Sequence, residues 1–184
     1  MAQFYYNQVD SGFIGSGLVS IIFGVLFFLS NLDYEKKLTL PQAFLLTALS
    51  WLSIAIFGSL PFVFSDLSLS FTNAFFESMS GITTTGSTIL TNLNETPKAI
   101  LLWRAMLQWL GGIGIIVMAI TLMPIMNIGG MQLFVISNTH TPEKILPKSK
   151  EISIRLIAIY SSLTLVCAFF YKIFGMSFFD SIVH

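Results

Sequence analysis

Charged side chains are scarce in this chain. Asp, Glu, Lys and Arg make up 10% of its 184 residues, against the roughly 25% typical of a soluble domain. That excludes a water-facing surface. The 54% hydrophobic content, the 18 phenylalanines and a mean hydropathy of +0.81 point to lipid as the main solvent. Cysteine is nearly absent. Cys167 stands alone in an apolar run, so neither a disulfide framework nor a thiolate metal site is available, and the thiol reads as inert packing. Histidine is limited to His140 and His184. With no helix-borne His pair and no Gly-x-Ser-x-Gly turn, neither an enzyme nor a cofactor is expected. The net charge is zero and no Lys/Arg cluster occurs, which argues against nucleic acid as a partner and against a polybasic lipid anchor.

Long apolar runs are what the chain does have. A membrane helix takes about 20 residues, so the length allows roughly four. The first run extends from Gly12 to Leu29; no basic segment precedes it and no small-x-small cleavage site follows, so it reads as a retained helix. Pro41 opens a second run to Phe64, a proline in a first helical turn being harmless, whereas Pro61 should bend or loosen the last turn. A third span is expected from Ile100 to Met123, ending at Pro124, and a fourth from Ile152 to Phe174. Met176 to His184 begin a further amphipathic turn or two.

The stretch from Ser70 to Leu90 fits none of these. Phe71, Ala74, Phe75, Ser78 and Met79 can share one face of a helix, but Ser70 to Ser80 gives only about three turns, too few to cross a bilayer. Gly81-Ile-Thr-Thr-Thr-Gly-Ser-Thr88 then opposes further helix through its glycines and β-branched threonines. A short re-entrant helix ending at Gly81 and an extended segment are expected. Four spans and one re-entrant segment put the loops at 31–38 and 126–151 on the same side. With Arg155, these loops hold Lys36, Lys37, Lys144, Lys148 and Lys150, six of the nine basic residues. By the positive-inside rule that side is cytoplasmic and the re-entrant segment faces out.

Non-helical backbone at membrane depth is tolerated only where protein buries it or where it lines a water-filled path. The helix ending at Gly81 would aim its partially negative C-terminus inward, a field that favours a cation. The threonine-rich segment offers carbonyl and hydroxyl oxygens of the kind that replace water around potassium, and Gly86 can turn a carbonyl toward an axis. A plain Gly/Thr-rich extracellular loop is the alternative. Glu77, acidic at membrane depth, is a functional candidate; it can brace the filter backbone or contact the ion, and bracing is favoured. Arg104, one turn before Gln108, is placed to anchor the same scaffold. Gly111, Gly112 and Gly114 permit close helix packing and could equally mark a hinge or gate.

The string Asn73-Ala-Phe-Phe-Glu-Ser-Met-Ser-Gly-Ile-Thr-Thr-Thr-Gly-Ser-Thr88, then Pro97-Lys-Ala-Ile-Leu, then Trp103-Arg-Ala-Met-Leu-Gln-Trp-Leu-Gly-Gly-Ile-Gly-Ile-Ile-Val117, resembles the first pore repeat of the TrkH family of potassium-uptake subunits, in the Trk/Ktr/HKT superfamily of cation transporters. Asn127-Ile-Gly-Gly-Met-Gln-Leu133 and Gly175-Met-Ser-Phe-Phe-Asp-Ser-Ile-Val-His184 extend the resemblance. It implies an all-α polytopic membrane protein of potassium-channel-like repeats, each an outer helix, a re-entrant pore helix plus extended filter, and an inner helix. On that pattern residues 1–37 are a leading transmembrane helix and cytoplasmic turn, 38–125 the first complete pore repeat, 126–151 a cytoplasmic loop and 152–184 the start of a second repeat. The chain is then expected to be the N-terminal part of a longer transporter. Thr83, Thr84, Thr85, Gly86 and Ser87 map to the filter, with potassium at Thr84 and Thr85, and Glu77, Gly81 and Arg104 as its support. The resemblance further implies a bacterial cytoplasmic membrane, a homodimer and a cytoplasmic nucleotide-binding regulator of the TrkA type.

Two other readings stand beside this one. Several copies of the chain could assemble a filter, although the Thr-Val-Gly-Tyr-Gly type of simple potassium channels is absent. Alternatively, the protein is a non-conducting membrane scaffold or a truncated, non-functional fragment.

Overall fold

A computed structural model describes residues 11–31, 39–93, 95–126 and 145–184. The motif at 127–133, His140 and the basic residues Lys36, Lys37 and Lys144 lie outside those residues. Among the described residues the secondary structure is entirely helical: α1 Ser11–Ser30, α2 Leu40–Phe64, α3 Phe71–Ile82, α4 Lys98–Met126, α5 Ile145–Ile173 and α6 Phe178–Val183. Helices α1, α2, α4 and α5 are long and apolar enough to cross a membrane. Their outward faces carry large apolar side chains, such as Phe27, Phe28 and Leu165, each more than two-thirds exposed. Such a surface suits hydrocarbon or further protein and not water.

Local chemistry explains the helix ends. Asn31 closes α1, its Nδ2 donating to the Phe27 carbonyl at 3.0 Å. Gln42 Oε1 accepts the Thr39 amide at 3.0 Å at the start of α2, where Pro41 falls in the first turn. Hydroxyls along the spans are satisfied by their own helix: Ser20 donates to the Ser16 carbonyl at 2.8 Å and Thr47 to that of Ala43 at 2.9 Å. This is how a lone hydroxyl avoids desolvation in lipid.

Three boundaries depart from the sequence expectation. Helix α3 runs through Gly81 to Ile82, because one glycine weakens a helix by only about 1 kcal/mol. Helix α4 starts at Lys98 and continues past Pro124 to Met126; proline removes one donor and does not itself forbid the next turn. Helix α5 begins at Ile145 rather than Ile152, which puts Pro147 in its first turn, where no amide is needed.

The chain divides into two compact units, Met1–Gly111 and Gly112–His184. In the first, α2 packs against both α1 and α3. Phe62 of α2, Ala74 of α3 and Ile100 and Leu107 of α4 form a small core, flanked by Phe13, Val63 and Trp103. Gly58 is the point where three helices meet. A Cβ there would lie 2.7 Å from Ser78 Oγ and 3.2 Å from Leu107 Cδ2, and its carbonyl accepts Trp103 Nε1–H at 2.9 Å. In the second unit α5 ends in a turn at Gly175, and α6 packs back on it.

Candidate functional site

Helix α3 starts from Ser70, whose hydroxyl accepts the Asn73 amide at 3.3 Å. Its buried residues are Ala74, Glu77, Ser78, Ser80, Gly81 and Ile82. The periodicity put Phe71, Phe75 and Met79 with Ala74 and Ser78 on one face; here Phe71 is 55% exposed and Phe75 and Met79 are half-buried. The buried face is rotated toward the polar residues because their partners lie on α4 and on the segment that follows α3.

Glu77 is completely buried, and three donors surround its carboxylate. Thr88 Oγ1 donates to Oε1 at 2.8 Å, the Ile89 amide to Oε2 at 3.0 Å, and Arg104 Nε to Oε1 at 2.5 Å. Thr88 Oγ1 also accepts the Leu90 amide at 3.1 Å. Arg104 also holds the same segment through Nη2, which reaches the Gly86 carbonyl at 3.0 Å and that of Ser87 at 3.4 Å. A buried carboxylate is tolerable only with such pairing. The ion pair therefore fastens residues 86–90 between α3 and α4.

Where α3 ends, the backbone reverses through a Schellman turn. The Thr84 amide donates to the Gly81 carbonyl at 2.9 Å and the Thr85 amide to the Ser80 carbonyl at 3.1 Å, the paired bonds of that motif. Thr84 holds the left-handed position with φ 57°, and Gly86 follows at φ 79°. A β-branched residue at positive φ is an outlier. The Met79 carbonyl takes both the Thr83 amide at 3.0 Å and the Thr83 hydroxyl at 2.7 Å. Three successive carbonyls, those of Thr83, Thr84 and Thr85, accept no hydrogen bond from the described residues, whereas the next two are held by Arg104 and Ser80.

Of the residues singled out in the sequence, Glu77, Arg104, Gly86 and Ser87 are brought into one network. Thr83, Thr84 and Thr85 lie exposed beside it. Gly81 rests on α4, where an added Cβ would come within 3.2 Å of Leu107 Cβ. Gly111 packs on the end of the short helix itself, since a Cβ there would overlap the Ile82 carbonyl. Gly112 and Gly114 are half-buried beyond it. Ser80 and Gly58 were not legible as site residues: one of two serines on a short helix and one glycine in an apolar run carry no local signal of what they will touch. Among the described residues no three His, Cys, Asp or Glu side chains could hold a metal ion together. The available chemistry is that of neutral oxygen donors, suited to a monovalent cation.

Comparison with known proteins shows the family of the chain. Residues 11–182 match the TrkH family, described as Cation transport protein. The Trk system potassium uptake protein TrkI of Halomonas elongata is 47% identical over 78% of this chain and 29% of its own length. The TrkH proteins of Vibrio parahaemolyticus and Escherichia coli are 39% and 38% identical over the whole chain and 39% of theirs. The crystal structure of the potassium transporter TrkH from Vibrio parahaemolyticus superposes with a TM-score of 0.80, at 38% identity, over 95% of this chain and 35% of that one. The chain thus spans about a third of the length of the relatives it matches. Its four candidate spans, re-entrant helix and family match together make it a multi-pass membrane protein of the TrkH family of cation transporters.

Proposed function

We propose that the chain supplies one strand of a potassium-selective filter in an uptake transporter, with the Thr83, Thr84 and Thr85 carbonyls as ion ligands and Glu77, Gly81 and Arg104 as scaffold. One observation carries this reading: three unpaired carbonyls in a row, next to two that are tied down. Unpaired carbonyls at membrane depth are costly unless an ion or water meets them. Gly86 and Ser87 belong to the filter strand as its anchored outer end, and an arginine beside their carbonyls makes those oxygens poor cation ligands. Gly111 seats the end of α3 on the inner helix, and Gly112 and Gly114 are the packing or gate residues of that helix in this proposal.

The relatives are potassium uptake proteins by name, which supports potassium as the ion. A bacterial cytoplasmic membrane, a homodimer and a TrkA-type regulator on the cytoplasmic face complete the proposal by family resemblance. The basic residues at 31–38 and 126–151 favour a cytoplasmic position for those loops, with the filter on the outer side.

Gly86→Val is the direct test. Nothing lies within 4 Å of a Cβ at Gly86, so the substitution perturbs the φ of 79° and not the packing. In cells lacking other potassium uptake it is expected to abolish growth on low potassium while the protein still reaches the membrane. Wild-type growth with Gly86→Val would sink the filter reading and favour a non-conducting scaffold.

A further inference from the structure

Most hydroxyls in these helices turn inward on their own backbone. Ser16, Ser50, Ser59 and Ser65 each donate to the carbonyl three or four residues back, at 2.6 to 2.9 Å. Ser80 does not. Its hydroxyl reaches forward seven residues to the Ser87 carbonyl at 2.6 Å, while its own carbonyl accepts the amides of Thr85 at 3.1 Å and Gly86 at 3.4 Å. One residue, only 5% exposed, thus holds the strand at Thr85 and at Ser87, with the Gly86 amide between them at longer range. The free carbonyls of Thr83 to Thr85 lie in the loop that it closes.

We propose that Ser80 is a positioning residue for ion selectivity. Its side chain fixes the outer end of the strand at Ser87, its backbone fixes the middle, and together they set the spacing of the carbonyls between. This rests on the filter reading above. Arg104 holds Ser87 only at 3.4 Å, beyond the usual range for an N–H···O bond, so it does not replace the hydroxyl. The serine contributes a donor that no local helix rule requires, because in a helix interior the same hydroxyl would ordinarily bond its own turn.

Three substitutions separate this role from packing. Ser80→Ala removes the donor with little change in volume, Ser80→Thr keeps a hydroxyl, and Ser80→Cys keeps the shape but donates weakly. In potassium and sodium uptake by the full protein, Ser80→Ala and Ser80→Cys are expected to narrow the ratio of sodium to potassium KM about three- to tenfold, the factor one neutral hydrogen bond supplies. Ser80→Thr is expected to restore the ratio toward wild type. A cysteine variant with wild-type selectivity, or three variants alike, would overturn the proposal. Hydrogen exchange on the purified protein in lipid nanodiscs gives a second readout that needs no transport. The Thr85 and Gly86 amides are expected to exchange about three- to tenfold faster in Ser80→Ala, and unchanged exchange would equally overturn it. Absence of uptake in the wild type would instead defeat the filter reading, leaving the exchange result to decide on Ser80.

Discussion

Two helices in this chain end in the same turn, one on a glycine and one on a threonine. At the end of α5 the Gly175 amide donates to the Lys172 carbonyl at 3.3 Å and the Met176 amide to that of Tyr171 at 3.1 Å. At the end of α3 the Thr84 and Thr85 amides make the equivalent pair to Gly81 and Ser80. Gly175 takes its φ of 100° without a side chain to strain; Thr84 takes 57° with a β-branched one. Left-handed backbone costs a non-glycine residue roughly 1–2 kcal/mol. The same geometry is therefore relaxed in one place and strained in the other, and strain that persists must be held by its surroundings. At Thr84 the surroundings do so: Glu77, Arg104 and Ser80 fasten the strand on its far side. After Gly175 the chain goes directly into a new cap, with Ser177 Oγ accepting the Asp180 amide at 3.1 Å.

If the strap is what holds the strained turn, cutting it should give the largest effect. Arg104→Met leaves the fully buried Glu77 carboxylate without its cation, a loss of about 3–5 kcal/mol for a broken buried pair. Thermal unfolding in detergent should show that loss. Adding Glu77→Gln should recover part of it, since a neutral amide needs no counter-charge. A single variant as stable as wild type would show that the turn holds itself and that the contrast with Gly175 has no energetic content.

The second support is the seat beneath the helix end. Gly111→Ala drives a methyl into the Ile82 carbonyl, and overpacking of this kind costs typically 1–3 kcal/mol. Gly24→Ala is the matched control, because nothing lies within 4 Å of a Cβ there and alanine is the better helix former. The expected outcome is a lowered unfolding temperature for Gly111→Ala and an unchanged or raised one for Gly24→Ala. Equal behaviour would mean that α4 moves freely against α3, which would return Gly111 to the hinge reading.

How much of this could be read from sequence follows the range of the interactions involved. The four long runs, the proline at the head of α2 and the short helix before the threonines are local signals, legible to within a few residues except at the start of α5, which lies seven residues before the expected Ile152 because the polar first turns carry no apolar signal. Gly81 as a helix stop was not, because the reversal is fixed two or three residues later by hydrogen bonds to Ser80 and Gly81, with a threonine where a glycine would be looked for. Glu77 stood out as an acid in an apolar stretch. That Thr88, Ile89 and Arg104 would converge on it depends on α4 lying beside α3, and no spacing along the chain encodes that. Ser80 and Gly58 are ordinary residues made significant only by what packs against them.

Exchanging the two residues at the matched position probes the comparison itself, and the effects are the smallest. Gly175→Thr should destabilise by about 1–2 kcal/mol, because the side chain arrives at φ 100° where, among the described residues, no buried ion pair like that of Glu77 and Arg104 holds the turn. Thr84→Gly should go the other way. It removes the left-handed penalty of roughly 1–2 kcal/mol but gives the unfolded chain more freedom, worth about 0.5–1 kcal/mol, so the net gain lies between zero and about 1.5 kcal/mol. Stability and transport then part company. A glycine at 84 relaxes the turn that aims the Thr83 to Thr85 carbonyls, so potassium uptake should weaken while the unfolding temperature holds or rises, the trade expected where strain serves function. If Thr84→Gly instead lowered stability, the threonine would be contributing contacts that outweigh its backbone strain. The two helix ends would then differ in packing, and the turn at Thr84 would not be held against its own preference.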